Sequence, residues 1–185
     1  KLITEWTLDD FARRSGPNRA LRYVALRYFN VAGARLDGTL GQATPEATHL
    51  IKVACEAACG KRDSVSIFGT DYDTPDGTCI RDYIHVEDLA NTHLCALTYL
   101  AEGGGSQVLN CGYGRGFSVR EVLETVQKVS GREIRIVESD RRAGDPAELV
   151  ADNRLIGQTL GWTPQYDDLG LICRTAYQWE CKAPC

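Results

Sequence analysis

Residues 22–29 read Arg22-Tyr23-Val24-Ala25-Leu26-Arg27-Tyr28-Phe29, with Val24, Ala25 and Leu26 nearly continuous rather than alternating with polar residues. Such continuity predicts a strand buried on both faces, the usual state in a parallel sheet covered by helices. Upstream, Leu2, Ile3, Trp6 and Phe11 recur at helical spacing without a capping Ser, Thr, Asp or Asn before them, and Gly16, Pro17 and Asn18 end that pattern. Downstream, a loop containing Gly33, Gly38 and Gly41 leads to an expected helix near Thr48 to Ala58, a strand at Ser64 to Phe68 and a turn-rich loop from Gly69 to Thr78. Further strands are expected at Tyr83 to Val86, Gln107 to Asn110 and Glu133 to Val137. They alternate with helices at about Glu87 to Leu100, Val119 to Val129, Arg154 to Leu160 and Leu169 to Cys181. Ser118 and Glu121 have the spacing of a capping box, and Gly131 closes the helix that follows. This alternation predicts an α/β fold with mostly parallel pairing.

A chain of 185 residues with 43% apolar and 25% charged residues can bury a real core, which excludes disordered and fibrous classes. The 21 basic and 25 acidic residues leave a net charge of -4 and are scattered, so nucleic acid is not an expected partner. No apolar run approaches the roughly 20 residues that cross a bilayer, and no membrane association is expected. The chain opens on Lys1 and contains no methionine, which we read as a piece of a longer protein. Eight cysteines occur without a single C-x-x-C, and the histidines are His49, His85 and His93. Reduced thiols in a cytoplasmic setting are expected, with no metal site.

Several residues stand where chemistry could occur. Gly112, Gly114 and Gly116 sit between a strand and a capped helix but read G-x-G-x-G, so the expectation is a structural turn rather than a dinucleotide cradle. Arg141, Arg142 and Asp145 form a charged loop that composition alone reads as solvated, although paired guanidinium groups also suit phosphate. For Arg81 an ion pair with Asp82 and an anion-binding role stay open together. Asn30 ends the first strand, where it is either a ligand contact or a turn residue bonded to its own backbone. His85 is expected to be packed rather than catalytic.

The strings Ala25-Leu26-Arg27-Tyr28-Phe29-Asn30-Val31-Ala32-Gly33-Ala34 and Phe68-Gly69-Thr70-Asp71-Tyr72-Asp73-Thr74-Pro75-Asp76-Gly77-Thr78-Cys79-Ile80-Arg81-Asp82-Tyr83-Ile84-His85-Val86 closely resemble the UDP-glucose 4-epimerase family of extended short-chain dehydrogenases/reductases. The likeness continues through Asn110-Cys111-Gly112, Arg142-Ala143-Gly144-Asp145-Pro146 and Leu160-Gly161-Trp162, so it covers essentially the whole chain.

The resemblance implies the carboxyl-terminal half of an NAD-dependent isomerase that interconverts UDP-glucose and UDP-galactose through a 4-keto sugar, in galactose metabolism. Residues 1–35 would end a Rossmann-type NAD-binding domain with a parallel sheet. Residues 36–185 would form mainly a smaller α/β UDP-sugar-binding domain, with about 81–112 returning to the Rossmann domain. Lys1 falls on the lysine of the family's Tyr-x-x-x-Lys motif, whose tyrosine would precede it, so the chain alone is expected to be inactive. By the same resemblance Lys1 and Phe29 bind the cofactor, and Asn30 approaches the UDP-sugar phosphates. His49 and Leu50 lie beside the substrate, the histidine departing from the family's usual Asn. Ser66 and Phe68 would flank the uracil, Arg81 and Arg142 the diphosphate, Asp145 the ribose, and Leu149 the gate of the sugar pocket. The partner implied is a UDP-hexose, with a homodimer in the full-length cytoplasmic protein. A UDP-pentose 4-epimerase and a non-catalytic nucleotide-sugar-binding module are the alternatives. Ile67-Phe68-Gly69 and His85 favour the hexose over the pentose.

Overall fold

The computed structural model describes residues 1–14 and 21–182, so the Gly16-Pro17-Asn18 break and Cys185 lie outside the described residues. In chain order the elements are α1 (Leu2–Arg14), β1 (Val24–Tyr28), β2 (Asn30–Ala32), α2 (Leu50–Ala58), β3 (Val65–Phe68), β4 (Ile80–His85) and α3 (Val86–Ala101). They continue as β5 (Gln107–Cys111), β6 (Gly116–Ser118), α4 (Val119–Ser130), β7 (Ile136–Ser139), β8 (Glu148–Leu149), α5 (Arg154–Leu160) and α6 (Leu169–Lys182). The mixed α/β architecture matches the expectation. Every strand pair among the described residues is parallel except β4 with β6.

β1 pairs with β5 from Val24 opposite Gln107 to Tyr28 opposite Cys111. Phe29 separates it from β2, which pairs instead with β4, Asn30 lying opposite Tyr83. The chain thus passes from one small sheet to the next within a single residue. β4 is the hub, bordered by β2, β6 and β8, while β3 and β7 form a separate pair. Ile51, Ala54 and Cys55 of α2 meet Leu123 and Val126 of α4 and Ile172 and Cys173 of α6 in a core that also buries Val65 and Ile67 of β3.

Local signals set the helix ends. Ser118 Oγ accepts the Glu121 N–H at 3.1 Å and the Glu121 carboxylate accepts the Ser118 N–H at 2.7 Å, closing the expected capping box. Gly131 ends α4 with φ of 64°, a left-handed turn that an L side chain resists. His85 caps α3: its Nδ1 accepts the Glu87 N–H at 3.2 Å, and its fully buried ring lies 5.0 Å from that of Tyr166. It is packed, as its sequence context suggests.

Three expectations need correction, the first being the strand near Glu133 to Val137, which lies at Ile136–Ser139 as β7, in register with β3. β4 starts at Ile80 rather than Tyr83, because pairing with β6 and β8 extends it through the charged Arg81 and Asp82. β1 is not buried on both faces: Val24, Ala25 and Leu26 are half-buried, and Arg27 and Tyr28 are exposed. Among the described residues its only strand neighbour is β5. The helix beside it, α1, is tied by Arg27 Nε to Glu5 Oε1 at 2.7 Å and leaves Ile3 73% and Trp6 63% exposed. An open strand edge next to uncovered apolar side chains favours pairing with another copy. The purified chain should therefore sediment as oligomers, and a sharply melting monomer would contradict this reading. No helix among the described residues is long and apolar enough to cross a membrane.

Candidate functional site

The alternation of β4 divides its side chains between two tasks. On one side, the buried carboxylate of Asp82 accepts three backbone N–H groups, from Tyr113 at 3.0 Å, Gly114 at 2.9 Å and Ala151 at 3.2 Å. Burial pushes the Asp82 carboxyl above its ordinary range, and these bonds only partly oppose it. A Cβ at Gly112 would come within 2.7 Å of this carboxylate, which explains the glycine. The G-x-G-x-G segment is therefore the expected structural turn, and an internal carboxylate already takes amides that a pyrophosphate would need.

On the other side, Arg81 and Tyr83 face a cleft of about 770 Å³. Arg81 does not pair with Asp82, which was one of its two open readings. Consecutive strand residues point to opposite faces, so Arg81 reaches instead to Asp145 Oδ1 at 3.4 Å and donates to the Ile80 carbonyl at 2.7 Å. Phe68 projects into the same cleft from β3 and carries the Arg142 guanidinium 3.8 Å above its ring centre. The two neighbouring arginines part company here. Arg141 lies 4.2 Å over Tyr72 and binds Asp71 Oδ1 at 2.7 Å, whereas Arg142 borders the cleft without an ion pair among the described residues.

Ser66, on the same face of β3 as Phe68, and Asn30 of β2 also line the cleft. Asn30 Nδ2 donates to the Asp82 carbonyl at 3.1 Å, so its bond crosses the sheet instead of returning to its own backbone. His49 and Leu50 stand at the cleft where α2 begins, and the His49 side chain makes no capping bond, leaving its exposed ring available. Eight of the residues singled out in the sequence thus border one cleft. Lys1, at the exposed start of α1, and Phe29, half-buried between β1 and β2, do not. Leu149 is 49% exposed and paired in register with Arg81, at the end of β8 rather than in the cleft wall.

The sequence reading missed the charged floor. Lys52 Nζ binds Glu56 at 3.1 Å and Glu180 at 2.8 Å, and Glu180 also takes Lys61 at 2.9 Å, which fastens α2 to the end of α6. Burial pushes the Glu180 carboxyl up, but the two ammonium groups outweigh it and hold it below its ordinary range. Lys52 and Glu56 have the i,i+4 spacing of a helix pair, yet nothing local marks Glu180. Trp179 was also missed; its indole N–H donates to the Gln42 carbonyl at 3.0 Å and pins the loop ahead of His49. Besides the ion-paired Arg62, Lys52 and Glu180, the cleft therefore offers the guanidinium groups of Arg81 and Arg142, the ring of Phe68 and several neutral hydrogen-bonding groups. That set suits an elongated anion with a planar end.

Residues 1–112 match the NAD dependent epimerase/dehydratase family. The chain belongs to that family. Among curated epimerases, it is 58% identical over 180 residues to the UDP-glucose 4-epimerase of Azospirillum brasilense, covering 97% of this chain and 51% of that protein. The crystal structure of UDP-glucose 4-epimerase from Brucella ovis in complex with NAD superimposes with a TM-score of 0.91 at 47% identity, over 97% of this chain and 54% of that one. The UDP-Glc/GlcNAc 4-epimerase of Campylobacter jejuni superimposes with a TM-score of 0.79 at 53% identity, over 99% and 54%. This epimerase-family chain spans about half the length of the curated relatives it matches.

Proposed function

We propose that the chain supplies the carboxyl-terminal half of an NAD-dependent UDP-hexose 4-epimerase and holds its nucleotide-sugar substrate. The convergence of Arg81 and Arg142 on the cleft bordered by Phe68 carries this reading. Two guanidinium groups at one end match the two phosphates of a nucleoside diphosphate, and the ring of Phe68 offers a face for the base. Asn30 and Ser66 then take polar positions on the phosphate and uracil portions, Asp145 on the ribose, and His49 and Leu50 beside the sugar. The gate role of Leu149 rests on the resemblance alone, since it pairs with Arg81 outside the cleft wall.

The residues of this chain fit one end of NAD. Phe29 at the carboxyl end of β1 and Lys1 are placed in the proposal at the nicotinamide, whereas the glycine turn at 112–116 is filled by Asp82 and does not fit a pyrophosphate. Bound NAD supplies the hydride acceptor and donor for C4 of the sugar. The chain's own work is to anchor UDP, to leave the sugar able to turn, and through Lys1 to favour the ionised form of a neighbouring phenol. In this reading residues 1–35 and about 81–112 complete a Rossmann domain and the rest forms the sugar-nucleotide domain, consistent with the pairing of β1 and β5. The protein acts in the cytoplasm, in galactose metabolism, as a homodimer.

The test is conversion of UDP-galactose to UDP-glucose, assayed with the 185-residue chain and with a protein that joins it to an upstream half. The joined protein should be active and the chain alone inactive. Activity of the chain alone, or UDP-sugar binding without turnover by the joined protein, would overturn the proposal, the latter in favour of a binding module.

A narrower expectation concerns Arg81. Charge-assisted bonds to the diphosphate persist from ground state to transition state, so their loss weakens binding more than chemistry. Arg81→Ala should raise KM by roughly 10- to 100-fold with little change in kcat, as expected for a bond worth about 1.5–3 kcal/mol. Arg81→Lys should recover only part of this, since an ammonium cannot reproduce a bidentate fork. An unchanged KM with kcat abolished would move Arg81 from anchoring into the chemistry.

A further inference from the structure

Cys59 and Cys181 are 122 positions apart in the chain, yet their sulfurs stand 2.7 Å apart. That separation is inside van der Waals contact, and a small side-chain rotation reaches the roughly 2.05 Å of an S–S bond. Both backbones are fixed by helices: the Cys59 N–H donates to the Cys55 carbonyl at 2.9 Å at the end of α2, and Cys181 lies in the last turn of α6. Cys181 is exposed and Cys59 half-buried, while Cys55, Cys79, Cys111 and Cys173 are buried. Cys95 is half-buried as well, so what sets this pair apart among the described residues is the meeting of its two sulfurs together with access to solvent.

We propose that Cys59 and Cys181 form a dithiol modification site, which a small-molecule disulfide of the glutathione type converts to an internal disulfide joining α2 to α6. In the first step the exposed Cys181 loses its proton to solvent and its thiolate attacks one sulfur of the small disulfide. A Cys181–S bond forms, the small disulfide's own bond breaks, and one small thiolate leaves. In the second step Cys59 loses its proton and attacks Cys181 Sγ, expelling the other small thiolate, which takes a proton from solvent. Two protein thiols are oxidised and one small disulfide is reduced to two thiols, so atoms and electrons balance.

The surroundings favour this order. Burial and then the contact with Cys181 push the Cys59 thiol up to about 12, and the nearby Lys61 ammonium draws it down. Capping Cys181 removes the thiolate that opposes ionisation of Cys59 and leaves Lys61 in place. Glu180 precedes Cys181 and binds Lys52 and Lys61, so the bond would lock the charged seam at the floor of the cleft.

The experiment incubates the full chain with glutathione disulfide, traps remaining thiols with iodoacetamide and maps the peptides by mass. The expected result is a Cys59–Cys181 cross-linked peptide, reversed by dithiothreitol, with the melting temperature raised by roughly 5–10 °C by closure of so long a loop. In Cys59→Ser the glutathione adduct should persist on Cys181 without that rise. A persistent adduct in the unsubstituted chain with Cys59 still alkylated, a bond from Cys181 to Cys185 or another cysteine, or no reaction at either residue would each overturn the proposal. The map of the unsubstituted chain decides the matter even where the serine variant does not fold.

Discussion

Asp82→Ala should abolish cooperative melting of the protein. The substitution removes the acceptor that, among the described residues, serves the N–H groups of Tyr113, Gly114 and Ala151, at a position where the residue is fully buried. Each buried donor left unpaired costs about 1–3 kcal/mol, so the Tyr113 and Ala151 donors together reach about 2–6 kcal/mol against a total stability of about 5–15 kcal/mol, while water can reach the N–H of the exposed Gly114. Asp82→Asn should lose less, because its amide oxygen can still accept the Gly114 and Ala151 N–H groups that share Oδ2, while its NH2 meets the Tyr113 N–H donor against donor. Urea melts followed by circular dichroism, with Arg81→Ala as the control from the neighbouring position on β4, would measure the loss. A midpoint for Asp82→Ala close to that of the unsubstituted protein would show that water, not the carboxylate, serves those amides.

The second large effect belongs to Lys1 in the joined enzyme. A phenol of ordinary pKa near 10 must fall by roughly three units to serve as a base at neutral pH, worth about 4 kcal/mol. One ammonium about 4 Å away at an effective dielectric near 20 supplies energy of that order. Lys1→Met should therefore lower kcat roughly 1000-fold while leaving KM within a few-fold, because the ammonium acts on the chemical step. The pH–rate profile should move to higher pH at the same time. A fall in kcat of less than about tenfold, or a profile that stays put, would assign phenol activation to another group.

Long periodic segments were legible in the sequence, and short strands were not. The boundaries of α5 match the expectation, and those of α6 depart from it by one residue, because apolar spacing and glycine stops act within a few residues. β2, β6 and β8, each of two or three residues, exist only because β4 supplies their partners, and no local pattern of that length encodes a partner. The mistaken burial of β1 has a related cause: a continuous apolar run reports what a strand could bury, not what the chain provides to cover it. For the site, resemblance located eight of the residues that border the cleft. It did not show Arg141 and Arg142 diverging onto Asp71 and the cleft, which depends on rotamers. Glu180, and the part Asp82 plays beyond a possible pairing with Arg81, escaped notice for a different reason. A buried carboxylate is recognised by the donors folded around it, and those come from positions 31 to 128 residues away.

The Lys52–Glu180–Lys61 seam makes the floor of the cleft sensitive to protons. Glu180 has a folded pKa below its ordinary value, so its stabilisation is fully present above about pH 4.3 and is lost as pH falls through the folded value. Asp82 behaves in the opposite sense. Its folded pKa is raised, so its contribution is present below about pH 3.9 and is lost as pH rises through the folded value. Acid therefore loosens the join between α2 and α6 while easing the cost of the carboxylate under the glycine turn. The melting temperature of Glu180→Gln should fall less between pH 5 and about pH 3 than that of the unsubstituted protein, since the variant has no proton to take up there. Acid below about pH 4.3 would thus weaken the join between α2 and α6 while leaving the turn at 112–116 no worse held.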